Sequence, residues 1–228
     1  MRLGFLSRDI IGNCDGKKYI WVHAVSVGET MVASRLISVL RSEFPVDNLL
    51  ISTVTPTGNR IAHSIARDAD QVIYLPLDFG WVVKRIIRHI KPIMFITTET
   101  EIWPNLISVL HKHSIPIALI NGRISDKSFK GYARAKFFLK HILAKIQLFC
   151  MQTQKDAERI VELGADEGKI KVTGNMKFDD VPETAKHHSL SNLNIEKEGQ
   201  LLFVAGSTHP GEEEIIVDSY KILKKEFP

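Results

Sequence analysis

Three glutamates stand where short apolar runs give way to polar clusters. Glu29 follows Val25-Ser26-Val27-Gly28, and Glu99 and Glu101 lie in Thr98-Glu99-Thr100-Glu101. A carboxylate at the mouth of a crevice can take a proton from a hydroxyl, so each is a candidate general base. Each also has a plainer reading. An acid in the first turn of a helix is stabilised by the helix dipole, which suits Glu29, and Glu99 and Glu101 could cap the helix that starts near Ile102-Trp103-Pro104. Acids in two separate loops on one rim favour a site. Gly28 is expected to let the backbone turn tightly before Glu29.

The elements that would position these groups follow from the apolar pattern. Tyr19–Ala24, Leu49–Val54, Gln71–Leu75, Ile93–Thr97 and Ile115–Ile120 are short and rich in Ile and Val. Longer segments with helical spacing separate them, which is the pattern of parallel strands buried on both faces with crossover helices. Ligands of such sheets bind outside the carboxyl ends of the strands, where the acids and the clusters Thr55-Pro56-Thr57-Gly58 and Asn121-Gly122-Arg123 fall. Helices are predicted over Thr30–Phe44, Thr57–Arg67, Phe79–Ile90, Trp103–His113, Ser128–Lys145 and Lys155–Leu163. Further strands are predicted at Gln147–Met151 and Lys169–Thr173. Residues 1–178 then form one domain, 179–199 a linker with Pro182 and no apolar periodicity, and 200–228 the start of a second domain. That last part is read as a strand, Leu201–Ala205, and a helix, Gly211–Phe227.

Composition narrows the chemistry. With 228 residues and 44% hydrophobic content the chain can bury a large core. A net charge of +4 suits an anionic partner and falls short of a nucleic-acid-binding tail. Two distant cysteines, Cys14 and Cys150, fit a reducing compartment. There is no G-x-G-x-x-G after the first strand, no Gly-Lys-Ser/Thr phosphate loop, no H-E-x-x-H and no D-x-D, so a nicotinamide fold, a P-loop and a metal site are all unsupported. His111 and His113 read as cations at a helix C-terminus. No stretch reaches the roughly 20 apolar residues of a membrane span. From Arg123 to Lys145, Arg123, Lys127, Lys130, Arg134, Lys136, Lys140 and Lys145 interleave with Phe129, Tyr132, Phe137 and Phe138. That pattern allows a solvated helix with an ordinary core face, a helix resting on anionic lipid, or a contact to a phosphate-bearing substrate.

Seven segments together resemble the 3-deoxy-D-manno-octulosonic acid (Kdo) transferases that act on the lipid A precursor. They are His23-Ala24-Val25-Ser26-Val27-Gly28-Glu29, Thr53-Val54-Thr55-Pro56-Thr57-Gly58, Tyr74-Leu75-Pro76-Leu77-Asp78, Glu99-Thr100-Glu101-Ile102-Trp103-Pro104-Asn105, Asn121-Gly122-Arg123-Ile124-Ser125, Gly174-Asn175-Met176-Lys177-Phe178-Asp179 and Gly206-Ser207-Thr208-His209. The resemblance implies an α/β, GT-B architecture, with a complete N-terminal Rossmann-like domain on the acceptor side and a truncated second Rossmann-like domain for the donor. It implies inverting transfer of Kdo from CMP-Kdo to lipid IVA in lipopolysaccharide core synthesis, with no metal or other cofactor. Glu29 is then the general base, Glu99 and Lys177 support the transition state, and Ser26, Gly28, Thr55, Thr57, Arg123, Ser207 and His209 contact substrate. The implied setting is peripheral, on the cytoplasmic face of the bacterial inner membrane and its anionic surface. The family usually has an apolar N-terminal anchor and a full second domain, so the chain reads as a fragment or split gene product, with a separate chain completing the donor domain as one expectation. A non-catalytic acceptor-binding or membrane-surface module is the alternative.

Overall fold

The computed structural model describes residues 2–14, 16–44, 48–178 and 203–226. The chain divides into two units, residues 1–180 and 181–228. The first is built on seven parallel strands: β1 (Tyr19–His23), β2 (Asn48–Thr53), β3 (Gln71–Tyr74), β4 (Pro92–Thr98), β5 (Ile117–Gly122), β6 (Leu148–Met151) and β7 (Ile170–Val172). Their order across the sheet is β3-β2-β1-β4-β5-β6-β7. The crossovers are α2 (Val27–Glu43), α3 (Pro56–Ile65), α4 (Gly80–Ile90), α5 (Pro104–Lys112), the pair α6 (Asp126–Arg134) and α7 (Lys136–Leu143), and α8 (Gln154–Glu162), while α1 (Arg8–Cys14) precedes β1. The α/β, Rossmann-like expectation holds.

Strand alternation makes two cores. Tyr19, Trp21, Leu50, Phe95 and Leu119 pack one face against α1, α4, α5, α7 and α8; Ile20, Val22, Ala24, Ile51, Ile96 and Ile120 pack the other against α2 and α3. All five residues of β1 are buried, as a strand covered on both faces requires. Trp21 and Phe95 meet edge to face with centroids 5.1 Å apart. Because β1 lies between β2 and β4, the chain leaves β1 toward one face and β4 toward the other. A crevice therefore opens between their carboxyl ends.

Three expectations need correction, and one helix is added to those the sequence predicts. The predicted helix Ser128–Lys145 is two helices that meet at Ala135, whose N–H turns back to the Tyr132 carbonyl, one residue short of helical spacing. Helix α1 was not anticipated; it starts where Ser7 Oγ accepts the Ile10 N–H, and it buries Ile10 and Cys14. Gly28 makes no tight turn. It lies inside the first turn of α2 without a positive φ, and a Cβ there would meet nothing within 4 Å. Residues 203–205 form no strand, since a strand exists only through hydrogen bonds to a neighbour, and among the described residues of the second unit there is none to pair with. Leu201, Leu202 and the predicted linker lie outside the described residues. The second unit contributes α9 (Glu212–Glu226).

Candidate active site

The crevice between β1 and β4 is lined by the loops that carry the glutamates. Ser26 is the N-cap of α2, and it and Glu29 satisfy one another: Ser26 Oγ accepts the Glu29 N–H at 3.4 Å and donates to Glu29 Oε1 at 2.8 Å. Glu29 Oε2 accepts the Val25 N–H at 2.8 Å. This Ser-x-x-Glu pair has the sequence of a capping box, with the glutamate reaching one residue beyond the N-cap to the Val25 N–H, a signal more specific than a first-turn acid. Thr98 Oγ1, at the end of β4, donates to the His23 carbonyl at 3.0 Å and stands 3.5 Å from Glu29 Oε2. Glu29 is thus 8% exposed, oriented from two sides, and has unused lone pairs on both oxygens.

Helix α3 is brought against this turn by its own cap. Thr55 Oγ1 accepts the Gly58 N–H at 3.1 Å and donates to the Val25 carbonyl at 3.3 Å. A Cβ on Gly58 would lie 2.9 Å from Thr55 Oγ1 and 3.4 Å from the Ser26 carbonyl carbon, so the close approach requires glycine. The hydroxyls of Ser26 and Thr55 are therefore committed to holding the site's backbone, whereas Thr57 and Gly28 are exposed on the rim.

Glu99 and Glu101 do not cap α5. The first N–H groups of that helix go to Asp78, whose carboxylate accepts from Leu106 N at 2.7 Å and Asn105 N at 3.1 Å. That leaves both acids for the crevice. Glu99 adopts φ 57°, a left-handed conformation that costs an ordinary residue about 1–2 kcal/mol, while its N–H bonds the Ile120 carbonyl at 2.9 Å. Burial, then the nearby Glu29 carboxylate, raise its pKa, and Lys177 and Arg123 oppose them. Burial, then Glu29 and Glu99, raise that of Glu101. Glu29, Glu99, Glu101, Lys177 and Arg123 thus form one electrostatic cluster drawn from the first turn of α2, the loops after β4 and β5, and the segment after β7. Arg123 extends from a loop tied to Thr100, its N–H reaching Thr100 Oγ1 at 3.1 Å.

Beneath the crevice His23 is fully buried. Its Nδ1 lies 3.0 Å from the Ser52 carbonyl and 2.9 Å from Ser52 Oγ. Burial lowers its pKa to about 4, with the Ser52 hydrogen bond acting the other way. Its neutral ring sits 6.3 Å from that of Trp103, edge on. Ser207 and His209 belong to the second unit, in the turn before α9, where His209 N donates to Glu212 Oε2 at 2.9 Å and Thr208 Oγ1 to Glu213 Oε1 at 2.7 Å. Among the described residues no group of three or more His, Cys, Asp or Glu side chains is placed to hold a metal ion, and no helix is long and apolar enough to cross a membrane.

Residues 1–180 match the family described as 3-deoxy-D-manno-octulosonic-acid transferase (kdotransferase). The chain is 39% identical over 228 residues to a bifunctional glycosyltransferase/methyltransferase of Fusobacterium nucleatum, covering 96% of this chain and 34% of that protein. It is 32% identical to the 3-deoxy-D-manno-octulosonic acid transferase of Haemophilus influenzae, covering 100% of this chain and 53% of that protein. It thus spans between about a third and a half of these relatives. Among solved structures, UDP-GlcNAc 2-epimerase from Neisseria meningitidis bound to UDP-GlcNAc aligns with a TM-score of 0.51 at 12% identity, over 71% of this chain and 48% of that one. The S. aureus MnaA–UDP co-structure aligns with a TM-score of 0.53 at 12% identity, over 78% and 51%. These likenesses bear on the fold, a Rossmann-like unit of GT-B type.

Proposed function

The chain belongs to the 3-deoxy-D-manno-octulosonic acid transferase family, and from that premise we propose that it forms the acceptor side of an inverting transferase that moves Kdo from CMP-Kdo to a hydroxyl of the lipid A precursor. The observation that supports this most is the place of Glu29, a held carboxylate at the point where the loops after β1 and β4 part. In this reading the acceptor hydroxyl enters over the first turn of α2, where Gly28 leaves open space, and gives its proton to Glu29 as its oxygen attacks the anomeric carbon. The configuration at that carbon inverts and the bond to the CMP phosphate breaks. Lys177 and Arg123 are the cations on the rim, and positive charge there would stabilise the phosphate as it departs. Glu99 is coupled to both the base and these cations, burial and Glu29 raising its pKa while Lys177 and Arg123 oppose them, so its charge is part of the field in which the transition state forms.

Membrane contact belongs to the same proposal. On α6 and α7, Leu139, Ile142 and Leu143 are buried while Phe137 and Phe138 stand 87% and 57% exposed among Lys136, Lys140 and Arg134. Exposed aromatics among cations suit the interface of an anionic bilayer such as the cytoplasmic leaflet of the inner membrane. Lys145 is not part of this surface, because its Nζ bonds Ser108 Oγ at 2.7 Å.

The test is a transfer assay on the protein that contains this sequence, with CMP-Kdo and lipid IVA. Transfer with inversion at the anomeric carbon is expected. A protein that binds both substrates but forms no Kdo–lipid product would instead indicate the non-catalytic module.

A further inference from the structure

The segment Asn175–Phe178 follows β7, the edge strand, so little of the sheet is available to hold it. Gly174, with φ 84°, turns the chain away from the strand. Two side chains from distant elements then grip the backbone of a single residue, one on each of its flanking peptide units. Asn121 Oδ1, at the end of β5, accepts the Met176 N–H at 3.1 Å, and Arg35 Nη1, on α2, donates to the Met176 carbonyl at 2.6 Å. Asn175 closes the turn from within, its Oδ1 accepting the Lys177 N–H at 3.0 Å and its carbonyl the Phe178 N–H at 3.0 Å. The backbone around Lys177 is fixed while its side chain stays exposed.

Asn121 is an expensive residue if it served stability alone. It adopts φ 53°, is almost fully buried, and leaves its Nδ2 with no partner among the described residues. A short amide tolerates the left-handed conformation that aims its oxygen at Met176. Its preceding carbonyl, Ile120, receives the N–H of Glu99, so one strand end sets both Glu99 and the Lys177 turn. Arg35 lies on the helix that Glu29 opens. We propose that Asn121, with Arg35, is a positioning residue that holds Lys177 at the crevice beside Glu99. Its meaning for transfer rests on the function proposed above, where a displacement of about 1 Å can cost roughly 10²-fold in rate.

The clamp can be tested without turnover. The Glu99 carboxyl, which feels Glu29, Glu101, Lys177 and Arg123, is followed by NMR titration in this chain, in Asn121→Gly, in Lys177→Gln and in the double variant. Glycine keeps the positive φ and removes the clamp. The expected result is an upward shift of the Glu99 midpoint in Asn121→Gly that disappears in the Lys177→Gln background. A folded Asn121→Gly with the original midpoint, or a shift of equal size without Lys177, overturns the proposal. If thermal melting shows that Asn121→Gly does not fold, Arg35→Lys, which keeps the charge and loses the reach, is read by the same two comparisons. A failed transfer assay would leave the clamp intact, and an unmoved Glu99 would leave transfer intact, so the two readings fail separately.

Discussion

Ser26 and Glu29 hold each other, the serine hydroxyl donating to the carboxylate at 2.8 Å while accepting the glutamate's own N–H. A capping box alone would account for an acid at this position. The surroundings favour a second task. Nearby stand two further acids whose pKa values are raised by burial and by Glu29 itself, an arrangement that only weakens the fold. Structural and chemical roles are separable here because a cap accepts glutamine as readily as glutamate, whereas a base does not.

Glu99→Gln is expected to stabilise the chain near neutral pH. A carboxyl with a raised folded pKa lends its full stability below the unfolded value near 4.5 and loses it as pH rises through the folded value. Removing the titration therefore raises Tm at pH 7 to 8, and the gain should shrink as pH approaches 4.5. A Tm at pH 7.5 equal to or below that of the parent would contradict the cluster's electrostatics.

His23 gives the opposite slope. Its pKa falls from 6.5 to about 4 on folding, so its contribution is intact above pH 6.5 and is lost progressively down to about pH 4. Full loss is on the order of 3 kcal/mol. Tm measured from pH 7.5 to 5 should drop less in His23→Asn than in the parent, relative to each protein's own value at pH 7.5. Parallel curves would mean that folding leaves the ring's pKa unmoved and would contradict its burial as a neutral group.

Binding to vesicles should rise with anionic lipid, weaken with salt, and fall in the Phe137→Ser/Phe138→Ser variant, since those rings are the exposed apolar groups among the cations of α6 and α7. Equal binding to neutral and anionic vesicles, or none to either, leaves α6 and α7 as solvated helices.

The strands were legible in the sequence because runs such as Tyr19–Ala24 are apolar on both faces and end in turn-forming residues. The site loops followed from the rule that ligands gather at the carboxyl ends. Helix α1 escaped because it is short, contains Gly12 and, among its described side chains, buries only Ile10 and Cys14. The break at Ala135 escaped because apolar spacing runs through it unchanged. The residues missed at the site act at long sequence separation: Asp78 caps a helix beginning 26 residues later, and Arg35 reaches Met176 across 141 residues. Pairings of that kind leave no local periodicity. The Ser-x-x-Glu box, by contrast, was a readable signal. The turn expected at Gly28 is absent because its backbone is already helical, and a Cβ there would meet nothing within 4 Å.

The most direct measurement compares kcat and Tm of Glu29→Gln with those of the parent, in the protein that contains this sequence, using CMP-Kdo and lipid IVA. In the glutamine variant Oε1 can still accept the Val25 N–H and Nε2 can donate to Ser26 Oγ, so the cap persists and Tm should stay within about 1 °C, a change of a few tenths of a kcal/mol at most. The proton acceptor is gone, and kcat should fall by at least roughly 10²-fold. Near-normal turnover in a folded Glu29→Gln would contradict the account and leave Glu29 as a helix cap.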